Sequence, residues 1–231
     1  EWVELLGKAC GAFFINKGFG PVVVAQDCRP SSAGYAAALA KGLLAVGADV
    51  TMIGMAPSPV FYYAVKALGR RAGAVVTASH NPSEFNDMTE TYIAELAGSF
   101  HLRSKVKVVV DGGNGAGGEI CAEVLRRMGA EVTPLYCEPD GTFPNHHPDP
   151  TVAENLRDMQ KLVAESGARV GIGLDGDGDR IGVVDEKARV LHGDRLLAVF
   201  ARQVLEEKPG AAIIGDVKCS HLLFQDIAKH G

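Results

Sequence analysis

The sequence predicts an α/β protein built of repeated units around parallel sheets. Three observations carry that prediction. Short apolar runs alternate with stretches of helical length, the pattern of strands covered on both faces. The alternation starts again twice along the chain. The restart is literal in places, because Gly47-Ala-Asp-Val-Thr51 returns as Gly129-Ala-Glu-Val-Thr133.

The elements follow in order. Glu1 to Phe14 reads as a helix, since Trp2, Leu5, Leu6, Ala9, Cys10 and Phe13 recur at helical spacing. Gly18 and Gly20-Pro21 end it. Pro21 to Asp27 is a buried strand, Cys28 to Ser32 a polar turn with capping residues, and Gly34 to Val46 an Ala/Leu helix stopped by Gly47. Asp49 to Met55 is a strand, Pro59 to Leu68 a helix, and Gly73 to Ser79 a third strand. The second copy runs from a strand beginning at Lys105, through a glycine loop at 112–118, to a helix at Glu119–Met128. A strand at Gly129–Cys137, a helix at Thr151–Ser166 and a strand at Arg169–Leu174 complete it. A third start gives a strand at Gly210–Gly215, a turn at Asp216–Ser220 and a helix from Ser220 to Lys229. In the first two copies the helix-ending Gly leads into another strand; in the third the sequence stops at that Gly, Gly231. The expectation is therefore two domains, 1–98 and 99–190, followed at 191–231 by the truncated start of a third. On this reading the chain is a fragment or an incomplete record of a longer one.

Composition narrows the class of protein. At 231 residues the chain accommodates one to two domains, and it can bury roughly 70% of its unfolded surface without a disulfide or metal staple. It is 47% hydrophobic and 22% charged, enough apolar material to exclude a disordered segment. A net charge of -5 and a pI near 5.8 argue against a nucleic-acid or polybasic membrane surface, so neither partner is expected. Cys10, Cys28, Cys121, Cys137 and Cys219 are odd in number and scattered, without a CxxC. They read as free thiols in a reducing compartment, and the expected location is cytoplasmic. No apolar run approaches the ~20 residues of a membrane span, and no signal-peptide pattern is present.

Four motifs carry chemistry. Thr77-Ala-Ser-His-Asn-Pro82 lies at the carboxyl end of an expected parallel strand, where open α/β sheets bind ligands. Its Ser79-His80 pair suits a nucleophile beside a proton partner, although a polar strand-to-turn transition uses the same letters. Leu174-Asp-Gly-Asp-Gly-Asp-Arg180 also follows a strand. Asp175, Asp177 and Asp179 at alternate positions can converge on a hard cation; without one they would repel and raise one another's pKa. An EF-hand is excluded by Arg180 at the turn-glycine position and by β-like flanks. Asp111-Gly-Gly-Asn-Gly-Ala-Gly-Gly118 contains GxGxxG at Gly113, Gly115 and Gly118, with Glu138 at the spacing of a ribose-binding acid. That motif fits a dinucleotide or a tight packing turn equally. Finally, Arg29, Arg180 and Lys218 each follow a strand in their own repeat and suit a phosphorylated ligand.

Together these segments resemble the α-D-phosphohexomutase family, which includes phosphoglucomutases and phosphomannomutases. Thr77–Pro82 is similar to its phosphoserine loop and Asp175–Arg180 to its magnesium loop. Val24–Ser32, Val110–Gly118, Phe143–Pro150 and Asp216–Ser220 are similar to further family segments, in family order. The resemblance implies repeated three-layer α/β domains with mixed, mainly parallel sheets, three of a total of four sharing one fold. It implies that Ser79 carries a phosphoryl group and that Mg2+ is held by a phosphate oxygen on Ser79 with Asp175, Asp177 and Asp179. It implies that Arg180 and Asn81 bind the phosphate, and that His80, Arg29 and Lys218 line the reaction site. The substrate is then a hexose phosphate, the activator a hexose 1,6-bisphosphate, and the GxGxxG a packing turn.

The sequence departs from the family in ways that bear on activity. Phe85-Asn86 runs directly into Asp87-Met-Thr-Glu-Thr, so a Gly and a Lys often assigned as general base are absent. A stretch is expected to be missing near Asn86/Asp87, along with the opening strand of the first domain. Ala25-Gln26 stands where a Gly-Arg pair is common. The fragment alone is expected to be inactive as a mutase. Two other readings stay open: an NAD(P)-binding oxidoreductase using the glycine loop, and a non-catalytic relative that binds metal or sugar phosphate. The adjacent His146 and His147 are read as structural or hinge residues, because neighbouring positions in a strand point apart.

Overall fold

Two parallel β-cores, built the same way, dominate the computed structural model, which describes residues 1–27, 31–77 and 86–231. The first sheet comprises β1 (Val22–Gln26), β2 (Val50–Met55) and β3 (Ala72–Val76) in the order β2-β1-β3, all parallel. Its central strand is apolar throughout, as a strand covered on both faces must be. Val22 and Val24 face helices α1 (Trp2–Asn16) and α2 (Ser32–Ala45). Val23 and Ala25 face α3 (Ser58–Ala67) and α4 (Asn86–Ser99).

The second sheet begins identically. Its strands β4 (Lys107–Asp111), β5 (Glu131–Leu135) and β6 (Val170–Leu174) pair in the order β5-β4-β6, all parallel. The repeated pentapeptides occupy equivalent corners. Gly47 and Gly129 both end a helical segment at positive φ, +87° and +96°, a conformation open to glycine without strain. Ala48 and Ala130 are both buried, and β2 and β5 are both edge strands reached from those corners.

The second sheet then extends where the first does not. β7 (Ile181–Asp185) turns back antiparallel to β6, and the two-residue β8 (Val190–Leu191) pairs antiparallel to β7. The sheet is thus mixed. Helix α5 (Gly118–Arg127) covers one face, with Cys121 and Leu125 against Val108 and Val110. A 3-10 turn (Ala153–Leu156) and α6 (Arg157–Ser166) cover the other, with Met159 and Val163 against Val109 and Val184. The helix expected from Thr151 therefore starts later.

The third restart forms helices only. α7 (Gly193–Glu207) packs on α8 (His221–His230), joined by Arg202 Nε on Asp226 Oδ2 at 2.8 Å, with Ala201, Leu205 and Leu223 buried. The strand expected over Gly210–Gly215 is not formed. A strand needs a neighbour to accept its amide protons, and among the described residues no strand pairs with this segment; Ile214 is 89% exposed. No helix among the described residues is long and apolar enough to cross a membrane.

Candidate functional site

The loop of residues 175–180, between β6 and β7, is met by the segments that follow β2 in the first sheet and β4 in the second, through Ser58 and Ala116. Its geometry comes from Asp175, which is almost fully buried. Asp175 Oδ1 accepts the backbone N–H groups of Asp179 and Arg180, both at 2.9 Å, and Oδ2 accepts Arg180 Nε at 2.8 Å. The Gly178 N–H closes on the Asp175 carbonyl at 3.1 Å, with Gly178 at φ +70°. A carboxylate has about four lone-pair sites, so Asp175 keeps only one for a ligand. Asp177 and Asp179 project from the frame that Asp175 sets.

The three carboxylates offer one oxygen each within 4.8 Å of one another. The Asp179 carboxyl is raised above its usual range by partial burial and by the charges of Asp177 and Asp175. Half of the Asp179 side chain is exposed, so the two neighbouring charges are the physical cause that matters. Hard oxygen donors in mutual repulsion are the donor set that a Mg2+-type ion satisfies, and the residues fit such an ion. Arg180 lies between Asp175 and Asp149, with Nη1 3.6 Å from Asp149 Oδ1, and 54% of its side chain is exposed. The hydrogen bond it donates to Asp175 raises its already high pKa, and its N–H groups left unpaired among the described residues suit an anion.

The glycine loop lies beside this site and is filled by its own chain. The amides of four consecutive residues are committed: Gly113 to Asp111 Oδ1 at 2.9 Å, Asn114 to the Tyr136 carbonyl at 2.7 Å, Gly115 to the Gly112 carbonyl at 2.6 Å, and Ala116 to the Gly176 carbonyl at 3.1 Å. A Cβ at Gly115 would stand 2.7 Å from the Gly112 carbonyl oxygen and 3.0 Å from that of Asp175. A dinucleotide site needs such amides free to cradle a pyrophosphate, so the loop is a packing turn that backs the aspartate loop. The nicotinamide reading loses its footing here.

Several residues beside the site have contacts that the sequence alone did not assign. Asn114 is fixed by Asn145 Nδ2, at 2.7 Å from its Oδ1, and donates its own Nδ2 to the Glu138 carbonyl at 2.9 Å. His146 Nε2 lies 3.2 Å from the buried Asp111 carboxylate, and Nδ1 lies 3.0 Å from the His147 carbonyl. Both ring nitrogens face acceptors, so the doubly protonated ring is favoured, and the Asp111 hydrogen bond raises its pKa. Ser58 meets Asp177 from the first sheet's side. The carboxyl-edge rule applied to β2, as it was to β3 and β6, finds Pro57-Ser58.

Of the other expected site residues, Arg29, Ser79, His80 and Asn81 lie outside the described residues. The last described residue before Ser79's segment is Thr77, one past the end of β3. Lys218 is exposed in the turn before α8, where its N–H donates to Asp216 Oδ1 at 2.8 Å. It lines a cleft of about 1020 Å³ between α7 and α8 whose walls include none of the three aspartates.

Comparison with known proteins agrees with this geometry. Residues 1–98 match the family profile for phosphoglucomutase/phosphomannomutase α/β/α domain I, and residues 90–189 match that for domain II. A phosphomannomutase/phosphoglucomutase of Pseudomonas putida is 39% identical over 269 aligned positions, covering 100% of this chain and 58% of the relative. A phosphoglucomutase of Neisseria meningitidis is 31% identical, covering 100% and 59%. The crystal structure of a phosphoglucomutase/phosphomannomutase family protein from Burkholderia thailandensis superposes with a TM-score of 0.89 at 34% identity, over 99% of this chain and 60% of that one. The chain thus spans a little under three fifths of the curated relatives it matches. Two adjoining domain matches, full coverage by close relatives and the shared fold make one conclusion: the chain belongs to the phosphoglucomutase/phosphomannomutase family.

Proposed function

We propose that the protein acts as a phosphohexomutase, interconverting a hexose 1-phosphate and a hexose 6-phosphate through a phosphoryl group on Ser79. The observation that supports this most is the convergence of Asp175, Asp177 and Asp179 at the carboxyl edge of the second sheet, in a family whose named members are mutases. Residues 1–98 and 99–190 serve as its first two domains, and 191–231 as the start of a third.

In this reading Ser79, through its phosphoryl group, and the three aspartates would hold Mg2+. When bound, the cation offsets the negative charge gathered where phosphate meets carboxylate. The residues of the chain do the rest by positioning and charge. The phosphoserine O–P bond breaks as a bond forms from phosphorus to a free hydroxyl oxygen of the hexose phosphate, and the hydroxyl proton leaves to a base in the site. The bisphosphorylated sugar turns over, its other phosphate returns to the Ser79 oxygen, and a proton goes back to the sugar oxygen. Arg180, aimed by Asp175, binds the phosphoryl oxygens with its free N–H groups. Asn81, His80 and Arg29 complete the reaction site, and a hexose 1,6-bisphosphate primes Ser79.

The test is intact mass and peptide mapping of the protein purified from its host, before and after exposure to glucose 1,6-bisphosphate with Mg2+. One phosphoryl group on Ser79 is expected. A Ser79 that stays unlabelled in both samples would favour a non-catalytic relative that binds metal or sugar phosphate.

A further inference from the structure

Ser58 opens α3 between two prolines, just beyond the carboxyl end of β2, and is 3% exposed. It makes two hydrogen bonds to one residue of the other sheet's loop. Its hydroxyl donates to Asp177 Oδ2 at 2.7 Å, and its backbone N–H donates to the Asp177 carbonyl at 3.1 Å. The N-terminus of the ten-residue α3 therefore meets the middle aspartate of the triad. Helix N-termini favour negative charge through their free amides, and here one such amide and one hydroxyl are both spent on Asp177. The backbone contact fixes where Asp177 lies. The hydroxyl contact occupies one oxygen of its carboxylate and sets how that group is turned.

Asp175 is oriented from within its own loop, through two amides and Arg180. By contrast, among the described residues the side-chain anchor of Asp177 is Ser58, from across the seam between the sheets. We propose that Ser58 is a positioning residue for the Asp177 carboxylate, so that the cation site of the second sheet is completed by the first. Partners that orient metal-ligating carboxylates contribute to metal affinity although they never touch the ion. By linkage, an ion bound there also tightens the contact between α3 and the loop. The inference rests on the cation reading of the aspartate loop given above.

The test is a Mn2+ titration followed by electron paramagnetic resonance, on the full chain and on Ser58→Ala, Ser58→Thr and Asp177→Ala. Binding is expected in the parent and lost in Asp177→Ala, with affinity about tenfold weaker in Ser58→Ala and within about twofold of the parent in Ser58→Thr. Parent-like binding in Ser58→Ala, with Asp177→Ala dead, overturns the role of Ser58 and leaves the cation site standing. Equal weakening in Ser58→Ala and Ser58→Thr also overturns it, since the retained hydroxyl would then count for nothing. Absence of binding in the parent overturns the cation reading and the inference with it. If Ser58→Ala does not fold, Ser58→Cys replaces it as the poorer donor of similar size, with weakened binding expected and parent-like binding overturning the proposal.

Discussion

The two glycine-rich loops that follow neighbouring strands of the second sheet use glycine for opposite ends. In the loop after β4, glycine lets backbone approach backbone, and the amides of Gly113, Gly115 and their neighbours are consumed by the protein. In the loop after β6, glycine separates three aspartates and lets the chain turn tightly, so that their carboxylates converge. The first loop is a wall and the second is a site. The wall supports the site directly, because the Ala116 N–H holds the Gly176 carbonyl. What distinguishes them is where the hydrogen-bonding capacity goes, which the letters GxGxxG and DGDGD leave open.

That contrast can be broken from either side. The largest effect expected is on the site: Asp177→Ala weakens Mn2+ binding by roughly a hundredfold or more, beyond the range typical of outer-shell changes, with little loss of stability. Calorimetric titration beside urea unfolding separates the two. Next comes the wall. Gly115→Ala places a methyl against two backbone oxygens that cannot rotate away, and overpacking of this kind costs about 1–3 kcal/mol, readable as a fall in the urea midpoint.

A smaller effect belongs to His146. Its pKa is raised in the folded chain by Asp111. The stabilisation is therefore fully present below the ordinary histidine pKa and is lost as pH rises through the elevated folded value. Replacing His146 by Gln should cost about 1–2 kcal/mol near pH 5.5, with the gap between parent and variant closing toward pH 9. A gap that widened with pH would contradict the assigned protonation.

The smallest effect is a chemical readout of the same wall. Burial pushes the Cys137 and Cys121 thiols up to about 11, and Cys137 packs against Gly112 and Gly118. Iodoacetamide at pH 8 should label both more slowly than a free cysteine, and Gly115→Ala should speed the labelling of Cys137.

Much of this was legible in the sequence, for identifiable reasons. Buried parallel strands are continuous apolar runs, so Val22–Gln26 and Lys107–Asp111 stand out. The corner at Gly47 recurs at Gly129 because both end a helix at positive φ ahead of an edge strand. Asp175, Asp177 and Asp179 were readable because carboxylates at alternate positions can converge on a hard cation, and their convergence is costly without one. The expected strand at Gly210–Gly215 failed because a strand is a property of its partners, and local composition does not supply one. Ser58 escaped notice, and His146 was read only as a structural or hinge residue, because their contacts with Asp177 and Asp111 are distant in sequence and adjacent only once the sheets are formed.

If a divalent cation binds this protein, its place is the aspartate loop and not the glycine loop or the paired histidines. Anomalous diffraction from crystals grown with Mn2+ tests it most directly. One strong peak is expected among the carboxylates of Asp175, Asp177 and Asp179, and none at residues 112–118 or at His146. A peak at His146, or an empty aspartate loop at saturating Mn2+, would contradict it.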